Sequence, residues 1–183
     1  LPSIARSLQA EGYATTFTYG GDADFTNTVS YLYGTGVERI TDQRDMHFDV
    51  APAQWGYADD VVCPLFARQV EQLAADGRPF FATLLTLSSH EPFDVPYHRL
   101  DNKILNAAAF TDECVARMID SWRGKPLWDN LLIILVADHG IGYPEGLEAG
   151  SVARQRIPML WMGGAVREPA VIETYASQSD LAA

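Results

Sequence analysis

Two short apolar runs, residues 79–87 and 131–137, constrain this 183-residue chain more than any other feature. Phe80, Phe81, Ala82, Leu84 and Leu85 dominate the first, and Leu131 to Ala137 contains no polar residue at all. A strand that is apolar at every position, rather than at every second one, matches a strand covered on both faces. The second run reads as the most buried strand of the chain. Shorter strand patterns occupy 13–19, 37–41 and 157–162. Helical spacing runs through 2–11, 25–33, 101–123 and the stretch from Asp59 to Gly77, where Val62, Leu65, Phe66, Val70 and Leu73 share one face. Such alternation predicts an α/β fold, a mostly parallel sheet with helices on both faces. Residues 42–57 show no period and read as a long surface loop, the kind that often carries function.

Composition narrows the classes. With 48% hydrophobic and 20% charged residues the chain is neither disordered nor low-complexity. A formal charge of −11 repels phosphate backbones, so no nucleic-acid partner is expected. No apolar run approaches the ~20 residues that cross a bilayer. Cys63 and Cys114 sit in separate helical patterns, without a CxxC spacing, and read as two buried thiols. Both ends read as cut, since a helical pattern starts at once after Leu1-Pro2-Ser3 and another begins at Ser179-Asp180-Leu181. A fragment of a longer protein is expected.

In open α/β sheets ligands bind beyond the carboxyl ends of the strands. Three strand ends carry suggestive residues: Gly20-Gly21-Asp22, Ser88-Ser89-His90-Glu91-Pro92-Phe93, and Asp138-His139-Gly140. All three are expected on one edge of the sheet. Asp138 and His139 offer an oxygen and a nitrogen donor suited to a hard or borderline divalent ion. A carboxylate emerging from a buried strand costs desolvation energy unless a cation or hydrogen-bond donors offset it. The other reading is an Asp that caps the next turn beside a half-exposed His139. His90 reads either as a ligand-facing residue or as an ordinary histidine in a turn fixed by Pro92. Arg156, before the strand at Ile157, reads as a substrate-facing cation or a plain surface arginine. Trp55 either packs on a substrate or pins the long loop, and His47 and His98 read as solvated. No P-loop, GxGxxG, GxSxG or HExxH motif is present.

Taken together, the chain resembles the lipoteichoic acid synthase-like branch of the sulfatase and alkaline phosphatase superfamily. The resemblance runs through Tyr19-Gly20-Gly21-Asp22 with Phe25 and Asn27, through Pro79-Phe80-Phe81 and through Leu87 to Phe93. It continues in Val136-Ala137-Asp138-His139-Gly140, Gln155-Arg156-Ile157-Pro158 and Ser179-Asp180-Leu181-Ala182. Asp-His-Gly is common to the superfamily, whereas Ser-x-His-x-Pro-Phe points to this branch.

The resemblance implies an alkaline phosphatase-like fold, with residues 1–183 as the C-terminal part of one catalytic domain, incomplete at both ends. It implies metal-assisted transfer or hydrolysis at a phosphate or sulfate ester. Asp138 and His139 would be metal ligands, manganese first, with zinc, magnesium or calcium as alternatives. His90 would contact the substrate phosphate, with Arg156 as an addition. A Thr or Ser nucleophile and an acidic ligand would lie upstream, so the chain by itself is expected to be inactive and to bind metal weakly. Lipid-modifying members act on phospholipid head groups at the extracytoplasmic face of the bacterial membrane, held there by upstream transmembrane segments. The synthases proper carry a histidine where Gly20 stands, and a Trp and an Arg where Thr26 and Thr28 fall. The branch's glycerol-phosphate contacts are therefore not carried over whole. A true sulfatase, a phosphoethanolamine transferase and a catalytically silent lipid- or partner-binding member are the competing readings. A receiver-like domain would want an acidic cluster after the first strand and a late lysine, and the lysines here are Lys103 and Lys125.

Overall fold

The structure is a computed structural model that describes residues 2–182, without the side chains of Thr26 and Ala182. The chain divides into two compact units: Leu1–Ser121 with Thr174–Ala183, and Trp122–Glu173.

The first unit is built on a three-stranded parallel sheet. Its strands are β1 (Ala14–Tyr19), β2 (Arg39–Thr41) and β3 (Phe80–Leu85), in the order β2-β1-β3. The helices are α1 (Ile4–Ala10), α2 (Thr28–Gly34), α3 (Asp59–Ala75) and α4 (Lys103–Asp120). Helices cover both faces of β1. Phe17 packs with Ala5 of α1 and Leu32 of α2 in a core that also includes Val37, Tyr19, Ile40 and Phe81. On the other face, the Thr18 hydroxyl donates to Gln69 Oε1 of α3 at 2.8 Å. The α/β class expected from the alternation is observed. Tyr19 pairs with Leu85 and Thr18 with Thr41, so the β1 and β3 carboxyl ends finish level, on one edge.

The ranking of strands by oiliness is not their ranking by burial. Thr-rich β1 is the central strand and its four inner residues are buried. Its hydroxyls are satisfied: Thr15 Oγ1 donates to the Gly36 carbonyl at 2.7 Å and accepts from the Glu38 N–H at 3.0 Å. The apolar β3 is an edge strand and only half buried. This corrects the expectation of a strand covered on both faces.

In the second unit, β4 (Ile133–Val136) pairs antiparallel with β5 (Met159–Met162) in a separate two-stranded sheet. Here the sequence reading is corrected again. Ile134 keeps 38% of its surface exposed and Leu160 53%, because a two-stranded sheet has no central strand to cover. A short helix, α5 (Val152–Gln155), precedes β5. Among the described residues no helix is long and apolar enough to cross a membrane.

Candidate active site

In the first unit the site grows from the loop that joins β2 to α3. That loop is fastened to the end of β1 at both of its own ends. At its start, the Gln43 N–H donates to the Gly21 carbonyl at 3.1 Å and the Ala23 N–H to Asp42 Oδ2 at 3.2 Å. Asp42 is buried and takes the Arg44 guanidinium at 2.6 Å. Burial pushes the Asp42 carboxyl up, but Arg44 and the Arg44 and Ala23 N–H groups outweigh it and hold the group below its ordinary value. At the loop's far end the Tyr57 N–H donates to the Gly20 carbonyl at 2.8 Å.

Glycine makes that second seam possible. A Cβ on Gly56, whose φ is +138°, would lie 2.2 Å from the Gly20 carbonyl oxygen, and one on Gly20 would lie 2.4 Å from the Tyr57 carbonyl oxygen. A side chain at position 20, such as the histidine of the synthases, has no room here. The Thr26 side chain lies outside the described residues.

Where this loop becomes α3, Asp59 fastens it to the end of β3. The Asp59 carboxylate is 1% exposed. It accepts from the Leu87 N–H at 2.8 Å, the Ser88 N–H at 3.1 Å and the Thr111 hydroxyl at 2.8 Å. The Asp59 N–H in turn donates to Ser88 Oγ at 2.8 Å. A buried charge is tolerable only when paired or fully hydrogen-bonded, and here the donors are supplied by the segment that leads to His90. Sequence reasoning passed over Asp59. Its signal was a carboxylate at the first position of a helix with an apolar face.

His90 follows at once. Its N–H donates to the Leu87 carbonyl at 3.0 Å, and Phe93 N–H closes the turn onto the His90 carbonyl at 2.9 Å. The ring Nδ1 lies 2.8 Å from the Glu91 carbonyl oxygen. A carbonyl only accepts, so Nδ1 carries the proton and Nε2 is the acceptor of the neutral ring. Phe93 sits at φ +60°, a strained conformation for a bulky residue that a scaffold holds only by over-determining it. Trp55 meets the His90 ring at 5.4 Å between centroids and an interplanar angle of 63°, and lies 6.3 Å from Phe25. Gln54, Trp55, His90, Glu91, Pro92 and Phe93 line an open cavity of ≈ 350 Å³. Trp55 thus does more than tie down its loop, since it forms a wall beside His90. His47 and His98 are exposed, as read from the sequence.

In the second unit, Asp138 and His139 leave the end of β4. Their side chains are 71% and 73% exposed, so the desolvation argument made from the apolar run does not hold for Asp138. His139 Nδ1 lies 2.9 Å from the Gly140 carbonyl oxygen, which again places the proton on Nδ1. His139 Nε2 and Asp138 Oδ2 converge to 3.5 Å, and the His139 N–H donates to Asp138 Oδ1 at 3.0 Å. Gly140 is needed for its size: a Cβ there would sit 1.7 Å from the Arg154 carbonyl oxygen. Arg156 is exposed, just after α5.

One carboxylate oxygen and one imidazole nitrogen, convergent and with the ring fixed through its other nitrogen, fit two positions in the coordination shell of a divalent ion. The described residues contain no group of three or more His, Cys, Asp or Glu side chains placed to hold a metal. The pair therefore fits a cation as part of a donor set.

A parallel sheet with helices on both faces of its central strand, and a histidine-bearing turn after β3, places the first unit among the α/β folds whose sites lie beyond the strands' carboxyl ends. The chain belongs to the Sulfatase family, whose model matches residues 1–183. It is 26% identical to phosphoglycerol transferase I of Xanthomonas campestris pv. campestris over 94% of this chain and 26% of that protein. A solved protein of the alkaline phosphatase superfamily from Vibrio parahaemolyticus superposes with a TM-score of 0.79 at 26% identity, covering 90% of this chain and 41% of that one. The lipoteichoic acid synthase LtaP of Listeria monocytogenes has the same fold, with a TM-score of 0.83 at 20% identity over 92% of this chain and 48% of that one. The chain spans about a quarter of the length of the curated relatives it matches.

Proposed function

We propose that the chain is the downstream part of a single metal-dependent catalytic domain that transfers a phosphoglycerol-type group from a membrane lipid head group. The observation that carries this reading is the matched presentation of His90 and His139. Each ring points its Nδ1 at the next residue's carbonyl, which leaves Nε2 as the acceptor, and at His139 that nitrogen lies 3.5 Å from Asp138 Oδ2.

In this reading Asp138 and His139 hold the ion, manganese first, with zinc, magnesium and calcium as the other candidates. When bound, such an ion neutralises charge on phosphoryl oxygens and lowers the pKa of a hydroxyl nucleophile. The chain's own residues do the rest. His90 Nε2 accepts the proton of an attacking hydroxyl when the ring is neutral and, once charged, gives a proton to the departing alkoxide or a hydrogen bond to a phosphoryl oxygen. Arg156 supplies a cation for the anionic ester. The hydroxyl nucleophile comes from upstream of this chain, which by itself is inactive and binds metal weakly. The whole protein works at the extracytoplasmic face of a bacterial membrane, anchored by upstream transmembrane segments.

The test is metal analysis of the whole purified protein together with phosphatidylglycerol turnover. One divalent ion per chain, lost along with activity in Asp138→Asn, is the expected result. A metal-free but folded protein, or robust phosphodiester turnover by residues 1–183 alone, would sink the reading.

A further inference from the structure

The loop between β2 and α3 ends in a segment, residues 55–59, that is stitched to two different strand ends. Tyr57 and Gly56 lie against Gly20 at the end of β1, within the distances a glycine alone permits. Four residues after Trp55, the Asp59 carboxylate takes the two N–H groups that open the His90 turn. Both fastenings are backbone-deep, and between them they leave little freedom to the Trp55 backbone. Yet Trp55 remains 40% exposed. A large aromatic whose main chain is so held, and whose ring meets that of His90, shapes the surroundings of that histidine. Its neighbours are the His90 and Phe25 rings, and Glu91 and Gln54 are among the residues that line the cavity beside it.

We propose that Trp55 is a substrate-positioning residue. Its indole fixes the His90 ring and forms the apolar wall against which the organic alcohol portion of the phosphate ester lies, with Gln54 and Glu91 available to its hydroxyls. The ligand class is a small hydroxylated group esterified to phosphate, with C–H surface for the indole. The proposal rests on the phosphoryl-transfer reading above. Its distinct content is that discrimination between head groups resides in the β2–α3 loop, through the Trp55 wall beside His90, while Trp55 itself takes no part in the bond changes at phosphorus.

The experiment uses the whole protein, phosphatidylglycerol in mixed micelles as donor, and the variants Trp55→Ala, Trp55→Phe, His90→Ala and the double variant Trp55→Ala/His90→Ala. Trp55→Ala raises KM about tenfold and changes kcat less than about threefold, in keeping with the worth of one aromatic contact. Trp55→Phe, which keeps a ring against His90, restores most of the loss. The double variant has the KM of His90→Ala within about twofold, because the two side chains act as one unit. A Trp55→Ala KM equal to that of the wild type, or fully additive losses in the double variant, overturns the proposal while the transferase reading stands. A folded wild type that turns over no donor overturns that reading, and the proposal with it. Should Trp55→Ala unfold, Trp55→Leu replaces it, since it keeps bulk on the loop without a ring; the expected KM is that of a ringless variant, and a wild-type KM overturns the proposal.

Discussion

At His90 and at His139 the same local device is used, Nδ1 pinned to the next carbonyl at 2.8 and 2.9 Å, but what stands behind each ring differs. The His90 turn is held by a buried carboxylate, a hydroxyl pairing and a neighbouring indole. The His139 turn hangs from one strand of an exposed two-stranded sheet, and its tightest constraint is the passage of Gly140 against the Arg154 carbonyl. On the proposed reading the His90 side meets an organic head group, which has to be read by shape and calls for a stiff wall. A cation brings its own binding energy, so its ligands can be supplied by a softer mount that the ion itself tightens.

That contrast can be broken at its strongest point by Asp138→Ala in the whole protein. Turnover should fall about a thousandfold or more, with loss of bound metal by elemental analysis, because a charged ligand is removed outright. Retained metal and activity would show that the Asp-His step is not the ion's mount. Asp59→Ala probes the other side. Leaving the Leu87 and Ser88 N–H groups unpaired should cost about 3 kcal/mol in urea unfolding and raise amide exchange across 87–93. Unchanged exchange there would mean the His90 turn does not depend on Asp59.

A smaller effect is expected from Gly140→Ala. The backbone must move away from Arg154, costing about 2 kcal/mol and disturbing the 138–140 turn, which amide exchange would register. The mildest test concerns α3 and α4, which carry the two buried thiols read from the sequence. Burial pushes the Cys114 thiol up to about 11, against the opposing pull of Arg117. The folded value exceeds the ordinary thiol value of about 8.5, so the unfolded chain releases its proton first and stability is lost as pH rises from that value toward the folded one. Cys114→Ala should flatten the alkaline limb of the melting-temperature profile. An unaltered limb would assign the loss to other groups.

Much of this was legible in the residues. The Ser-x-His-x-Pro-Phe and Asp-His-Gly elements suffice to point to the family, and Gly77, at φ +72°, does end the α3 region as its pattern indicated. What misled was oiliness. Residues 131–137 look like the heart of a sheet, but among the described residues β4 pairs with β5 alone, and an apolar run records what a segment prefers to contact rather than how many partners this stretch of chain supplies. Threonine-rich β1 took the centre instead because Gly36, Glu38 and Gln69 satisfy its hydroxyls, partners that lie 21 to 51 positions away and leave no local trace. Asp59 was hidden for the same reason. Its role exists only once residues 87, 88 and 111 have come round to it.

The double fastening of the β2–α3 loop also bears on how such proteins diversify. Ala53 exchanges backbone hydrogen bonds with Gly56 and the Phe48 ring meets Tyr57, so only the stretch 49–52 between these contacts can be lengthened, shortened or rewritten without disturbing either seam. Relatives that take other donors would then be expected to differ most in that interval, and a laboratory library confined to it would sample new selectivities at little risk to folding.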